Sequence, residues 1–363
     1  MRMAVFFPYH PDMKTLVEFR QELIDWEIVG FASYREDEHL INPLNLVLDL
    51  EAPSLEQLLN DCDTVVLLDN YRGCRVEKYY QVIEDAIARN KDIFVTPLAR
   101  SQLDLARYED YYQILEQNPD CMETINAEYS AREGATDSKL YQIEIPVVGI
   151  LGQGKNCDKF VNLLLMKQVL EEDYDPVTVS SNALGVLFGC YTIPSFLYEN
   201  IPFQEKIIKF NYFVRRISED GDPDALVIGV PEGVMPFRRQ EFHHFAEYPH
   251  VISSAIDFDL VILCTYFLTG SKLESVLKLF VEFCRNKFSV PVGAVSVSRI
   301  SIEAPNEESS KIDFEHLRRS YLDKYYPDLN SLILPMVNML DFKQAKTALK
   351  ASIIRLQENI SVI

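Results

Sequence analysis

Residues Tyr141–Glu172 carry the strongest constraint in the chain, a β-branched run, a glycine-rich turn and a long apolar segment in unbroken succession. Gln142-Ile-Glu-Ile-Pro-Val-Val148 reads as a buried strand. Asn162-Leu-Leu-Leu-Met-Lys-Gln-Val-Leu170 lacks Pro and Gly and consists of helix formers. Between them, Gly149-Ile-Leu-Gly-Gln-Gly-Lys-Asn156 matches G-x-x-x-x-G-K-[ST] at Gly149, Gly154 and Lys155 and departs from it at Asn156. In such a turn the glycines let backbone N–H groups curl round a phosphate. The following helix adds partial positive charge, and the lysine reaches the outer phosphates. The expected ligand is ATP or GTP with Mg2+, held by Gly149, Gly152, Gln153, Gly154, Lys155 and Asn156. The missing hydroxyl is the group that touches the metal. A carboxamide oxygen also ligates hard cations, so Asn156 argues against hydrolysis more than against binding. The same glycines equally suit a purely architectural strand-to-helix turn.

Length and composition narrow the classes. A chain of 363 residues is too long for one ordinary core, which predicts two or three domains. The 35 basic and 55 acidic side chains leave a net charge of −20, which argues against nucleic acid and anionic membrane surfaces as partners. A local basic pocket for one nucleotide is compatible with that total. Seven scattered cysteines include no C-x-x-C or C-x-x-H pair, so a structural zinc or iron–sulfur site has no signature. Reduced thiols, a short apolar run after Met1 and no stretch of ~18 apolar residues predict a cytoplasmic location.

Residues 1–118 alternate strands and helices. Strands are expected at Ala4–Phe7, Ile28–Ser33, Leu46–Leu50, Thr64–Leu68 and Ile93–Thr96, and helices at Met13–Trp26, Val76–Arg89 and Leu103–Glu116. Ser54 and Gln57 form a capping-box pattern before a further short helix. Such alternation predicts parallel βαβ units in a doubly wound α/β sheet. The first turn, Phe7-Pro-Tyr-His-Pro-Asp12, lacks the glycines that a dinucleotide needs. His10 and Asp12 sit where such sheets place ligands, and Asp69–Arg75 offers two arginines that could hold an anion, but the favoured reading of both loops is a solvated turn. Residues 119–141 lose periodicity and read as a linker.

Residues 142–363 form a second doubly wound, mostly parallel α/β domain with a helical tail. Pro176–Ser180 is its second strand, and Ser181 and Asn182 at its end are candidates for the metal or phosphate shell, or simply for helix capping. Asp224–Gly233 is an apolar strand with Glu232 just past it. The expected metal residues are therefore Asn156, Ser181 and Glu232, with Glu232 standing in for an absent strand-end Asp. His243, His244, Glu247 and His250 suggest a metal cluster, but Pro249 and the adjacency of two histidines argue for a polar loop. Cys157, at the helix start, allows a thiol-based enzyme as a third class.

Gly-Gln-Gly-Lys-Asn-Cys-Asp-Lys-Phe160, Val179-Ser-Ser-Asn-Ala-Leu-Gly-Val-Leu-Phe188, Val227-Ile-Gly-Val-Pro-Glu-Gly-Val-Met-Pro236 and His244-Phe-Ala-Glu-Tyr-Pro-His250 together resemble the peptide-maturation-system proteins. Those accompany ribosomally made, Cys-rich natural-product peptides and their radical maturases. The resemblance spans nearly the whole chain and implies an accessory role with a precursor peptide or radical maturase as partner, oligomerisation being possible. No reaction comes with it. More distantly, the layout is similar to proteins that pair a Rossmann-like module with a dethiobiotin-synthetase-like P-loop module. By that likeness Ser296, Ser298 and Arg299 would lie near base and ribose. The alternative is a non-enzymatic scaffold for the peptide or maturase.

Overall fold

The computed structural model describes residues 1–8, 10, 12–32, 55–69, 74–132, 140–235, 246–267, 273–303, 313–326 and 334–360. They form two compact units, Met1–Gln117 with Ala183–Thr192, and Asn118–Asn182 with Ile193–Ile363.

In the first unit β1 (Arg2–Phe7), α1 (Met13–Glu18), β2 (Trp26–Phe31), α2 (Leu55–Asp61), β3 (Thr64–Leu67), α3 (Val76–Ala88), β4 (Asp92–Val95), α4 (Pro97–Gln102) and β5 (Gln113–Ile114) follow one another. The five strands pair in parallel in the order β2-β1-β3-β4-β5. Ala4–Phe7 and all of β3 are buried, as strands covered on both faces must be. α3 turns Tyr79, Val82, Ile83 and Ala86 inward at helical spacing. The expected helix over 103–116 is replaced by α4, a 3-10 turn at Ala106–Tyr111 and β5. The Thr96 hydroxyl accepts the Ala99 N–H at 3.3 Å and Pro97 takes the first helical position, a start signal six residues upstream of the expected one. α1 is also shorter than expected, because Trp26 begins β2. The strand expected at Leu46–Leu50 and the Ser54 cap lie outside the described residues.

The second unit opens not with a linker but with α5 (Pro119–Arg132). This helix has no single apolar stripe. It is held instead by polar contacts to α7, with Glu128 3.9 Å from Arg215 and 3.7 Å from Arg216, and Lys209 over the Tyr129 ring. Then come β6 (Val147–Gly152), α6 (Lys159–Leu170), β7 (Pro176–Ser180), β8 (Tyr191–Thr192, within the segment grouped with the first unit), α7 (Phe203–Glu219), β9 (Ala225–Gly229), α8 (Glu247–Ala255), β10 (Leu260–Thr265), α9 (Leu273–Phe288), β11 (Val292–Val297), a β12 (Ile300–Glu303)–β13 (Asp313–His316) hairpin, α10 (Arg319–Tyr325), β14 (Met336–Asn338) and α11 (Phe342–Ile360).

The large sheet runs β14-β11-β10-β6-β9-β7-β8. The pairs of β6 with β9 and β10, of β7 with β9, and of β11 with β10 and β14 are all parallel. Two mostly parallel sheets make the fold α/β, as expected. From β6 the chain winds to β7 and back to β9 on one side, then crosses to β10 and β11 on the other. The carboxyl end of β6 is thus a topological switch point, the place where open α/β sheets take ligands. α6 contacts β6, β7, β9, β10 and α11, which explains why it is apolar nearly all round.

β6 begins five residues later than expected. Pro146 has no N–H to give a ladder, so pairing starts at Val147. Gly149 consequently lies inside the strand, between Val261 and Ile228, and not in the turn. Its hydrogen faces Phe258, whose ring carbons would stand 2.8 and 2.9 Å from an added Cβ. Among the described residues no helix is long and apolar enough to cross a membrane. The Gly149→Ala variant should lose about 1–3 kcal/mol of stability through overpacking, measured by urea denaturation, with ligand binding at the turn unchanged.

Candidate phosphate-binding turn

Gln153–Asp158 joins β6 to α6 and is pinned from three sides. The Gln153 N–H donates to Cys264 O at 2.8 Å, and the Tyr266 N–H donates to Gln153 Oε1 at 3.3 Å. The Tyr266 phenol donates to Lys155 O. From β9, the Val234 N–H reaches Gly152 O at 3.0 Å, and Gly233 lies so close that an added Cβ would stand 2.5 Å from Gln153 O. Asn156 and Asp158 adopt left-handed backbone at φ 51° and 57°, which Asn and Asp tolerate better than other side chains. This winding turns the Gly154 N–H toward the Cys157 sulfur and leaves the N–H groups of Lys155, Asn156 and Cys157 without an acceptor among the described residues. Three such donors before the N-terminus of a 12-residue helix form an anion cradle.

Two lysines serve this turn differently. Lys155 is 56% exposed and its ammonium lies 2.8 Å from the Glu232 carboxylate. An ion pair that open contributes at most about 1 kcal/mol, so an incoming phosphate can take Lys155 from Glu232 at little cost. Lys159 stands at the first position of α6 and donates to Val230 O at 3.0 Å and to Glu232 O. Burial pushes its ammonium below the ordinary lysine range, against the opposing pull of Cys157 and Glu232. It fastens the β9 loop beneath the turn.

Asp158 anchors the other flank. Only 8% exposed, it accepts from Ser298 Oγ at 3.0 Å and the Arg299 N–H at 2.8 Å, and faces the Arg299 guanidinium at 3.4 Å. Burial disfavours its charge, but the Arg299 guanidinium and amide outweigh burial and hold the carboxyl below the usual range. Ser298 and Arg299 therefore brace the helix start from the end of β11.

The structure brings Gly152, Gln153, Gly154, Lys155, Asn156 and Glu232 to one place. Gly149 belongs to the strand, as described above. Ser181 and Asn182 follow β7, which β9 separates from β6 in the sheet. Ser181 N would stand 3.6 Å from a Cβ on Gly229 of β9, and the Asn182 N–H bonds Ser180 Oγ at 3.0 Å. Among the described residues no group of three or more His, Cys, Asp or Glu is placed to hold a metal. Of the expected metal residues Asn156, Ser181 and Glu232, Asn156 lies in the turn, Glu232 faces Lys155, and Ser181 follows β7 on the far side of β9. His243 and His244 lie outside the described residues, Glu247 pairs with Lys206 at 2.7 Å, and His250 packs on Phe203. Cys157 is fully buried, donates to Gly154 O, and burial pushes its thiol up, which removes the support for a thiolate.

Lys159 and Asp158 were missed as turn residues. Their signal was present, since an Asp-Lys pair directly before the apolar run Phe160–Leu165 marks a helix start.

In the first unit His10 is buried between carboxylates, with Nδ1 3.3 Å from Asp12 and Nε2 3.5 Å from Asp69, at the carboxyl ends of β1 and β3. Burial lowers its pKa, but Asp12 and Asp69 together raise it above the ordinary histidine value.

No family model matches the chain, and no curated protein matches it in sequence. Among solved structures, a DUF1611 family protein from Anabaena variabilis is similar with a TM-score of 0.60 at 11% identity, over 98% of this chain and 100% of that one. E. coli FolC in complex with DHPP and ADP aligns over 62% of each chain, with a TM-score of 0.27 and 12% identity. The likeness to the DUF1611 protein is one of fold.

Two variants test these electrostatics. Arg299→Met strands a buried carboxylate and should cost about 3–5 kcal/mol near neutral pH in urea denaturation. The native pair's contribution is present above the unfolded carboxylate pKa and is lost as pH falls through the depressed folded one, so the penalty should shrink in acid. His10 carries the opposite sign: its contribution is full below about pH 6.5 and is lost as pH rises through the raised folded pKa. His10→Gln should flatten that decline in a pH series of melting temperatures.

Proposed function

We propose that the second unit is a P-loop-derived module that holds a phosphate-bearing ligand, ATP or GTP in the first instance, without hydrolysing it. It would act as an accessory protein in the maturation of a ribosomally made peptide. The observation that carries the ligand class is the row of N–H groups from Lys155 to Cys157 that have no acceptor among the described residues, at the switch point beside the exchangeable Lys155. Binding without turnover follows from the donor set. No hydroxyl follows either lysine, since Asn156 comes after Lys155 and Phe160 after Lys159, and among the described residues the Glu232 carboxylate at the turn is paired with Lys155. The role in peptide maturation rests on the resemblance of the motifs over residues 145–300 and has precursor peptide or radical maturase as its partner.

A second reading is favoured by one observation: the Lys155 ammonium pairs with the Glu232 carboxylate and Lys159 is held by Val230 O and Glu232 O, so the charged side chains of the turn are already partnered without a ligand. A scaffold that binds peptide or maturase through another surface would look the same.

Calorimetric titration with ATP and GTP, each with and without Mg2+, separates the two. The expected result is micromolar binding, near −8 kcal/mol, that does not require the metal and produces no ADP or GDP. Lys155→Ala should weaken it about tenfold or more by removing one charge-assisted contact. Unchanged affinity in that variant would overturn the assignment, and no heat with either nucleotide would favour the scaffold.

A further inference from the structure

An aromatic wall rises beside the turn and the ligand contacts named so far leave it unused. Tyr266, whose amide and phenol both bond the turn, stacks on Phe314 with ring centres 5.9 Å apart. The next residue, Phe267, lies 6.0 Å from Tyr321 and 6.2 Å from Tyr326. Tyr326 is fixed at its phenol, which donates to Val297 O at 2.5 Å and accepts the Met339 N–H at 3.0 Å. These contacts fasten the wall to the carboxyl ends of β10 and β11.

At its outer end Tyr321 and Tyr325, one helical turn apart on α10, meet at 4.7 Å and remain 44% and 45% exposed. Lys324 reaches over the Tyr325 ring at 5.0 Å. Two exposed rings backed by a rigid aromatic base form a stacking surface, since a π-face held in place loses little entropy on contact. On the β9 side, the Tyr198–Tyr248 pair offers one exposed ring only, Tyr248 being buried.

We infer that Tyr321 and Tyr325 form the platform for the heterocyclic base of a nucleotide whose phosphates occupy the turn. The inference rests on the phosphate-binding reading of Gln153–Asp158 and adds that the ligand is a nucleotide and not a bare phosphate. The contact path from Lys155 through Tyr266 and Phe267 to Tyr321 is unbroken. Lys324 lies over the Tyr325 ring, and Asp323 on the same helix is paired with Arg319.

The test is calorimetric titration of the full chain with ATP and, separately, with inorganic tripolyphosphate, on the native protein, Tyr321→Ala and Tyr321→Phe. Base stacking on one aromatic ring predicts that Tyr321→Ala weakens ATP about tenfold or more, while Tyr321→Phe keeps it. Tripolyphosphate affinity should be the same in all three, which also reports that the variants fold. Unchanged ATP affinity in Tyr321→Ala, or equal loss of both ligands, would overturn the platform. Native protein that binds tripolyphosphate as tightly as ATP would overturn it while leaving the turn as a phosphate site. Binding of neither would overturn both.

Discussion

A buried carboxylate decides where α6 begins. Asp158 sits in left-handed backbone at the helix's N-terminal boundary and is held by Ser298 and Arg299 from the far side of β10. A charge so placed is tolerated only because its partner is placed with it, and removing either leaves several kcal/mol uncompensated. The pair couples the end of β11 to the turn after β6 across the intervening strand. With Asp158 fixed, the amides before it have one course to follow and Lys159 is delivered beneath them to the β9 carbonyls.

The opposing lysines then take distinct tasks. Lys159, half-buried and doubly bonded to carbonyl oxygens, is architectural. Lys155 is open, and its bond to Glu232 is of the kind that water and salt weaken most. A net charge of −20 does not forbid an anion here. At physiological salt the Debye length is about 8 Å, so distant exposed carboxylates are screened while the cradle's own donors are not.

Much of the architecture was legible as periodicity. The β1, β3, β4 and α3 segments announce themselves through β-branched runs and helical spacing, and the strand–turn–helix at the head of the second unit follows from its glycines. Register within that unit was not legible in the same way. Periodicity cannot distinguish Gln142–Val148 from Val147–Gly152 as the strand, and only the missing N–H of Pro146 shifts the balance. That five-residue slip misplaced Gly149 and hid Lys159. The insertion of β9 between β7 and β6 is a non-local choice that no window of sequence contains. That Lys155 and Glu232 both lie at the site was legible because each follows a strand end, but their ion pair was not, since the sequence reading gave Glu232 to a metal.

Hydrogen–deuterium exchange of the native protein, with and without ATP, tests the central claim most directly. The account predicts slowed exchange confined chiefly to peptides covering Lys155–Cys157, where free amides would acquire an acceptor. Binding of ATP that leaves those amides exchanging as fast as before would contradict it.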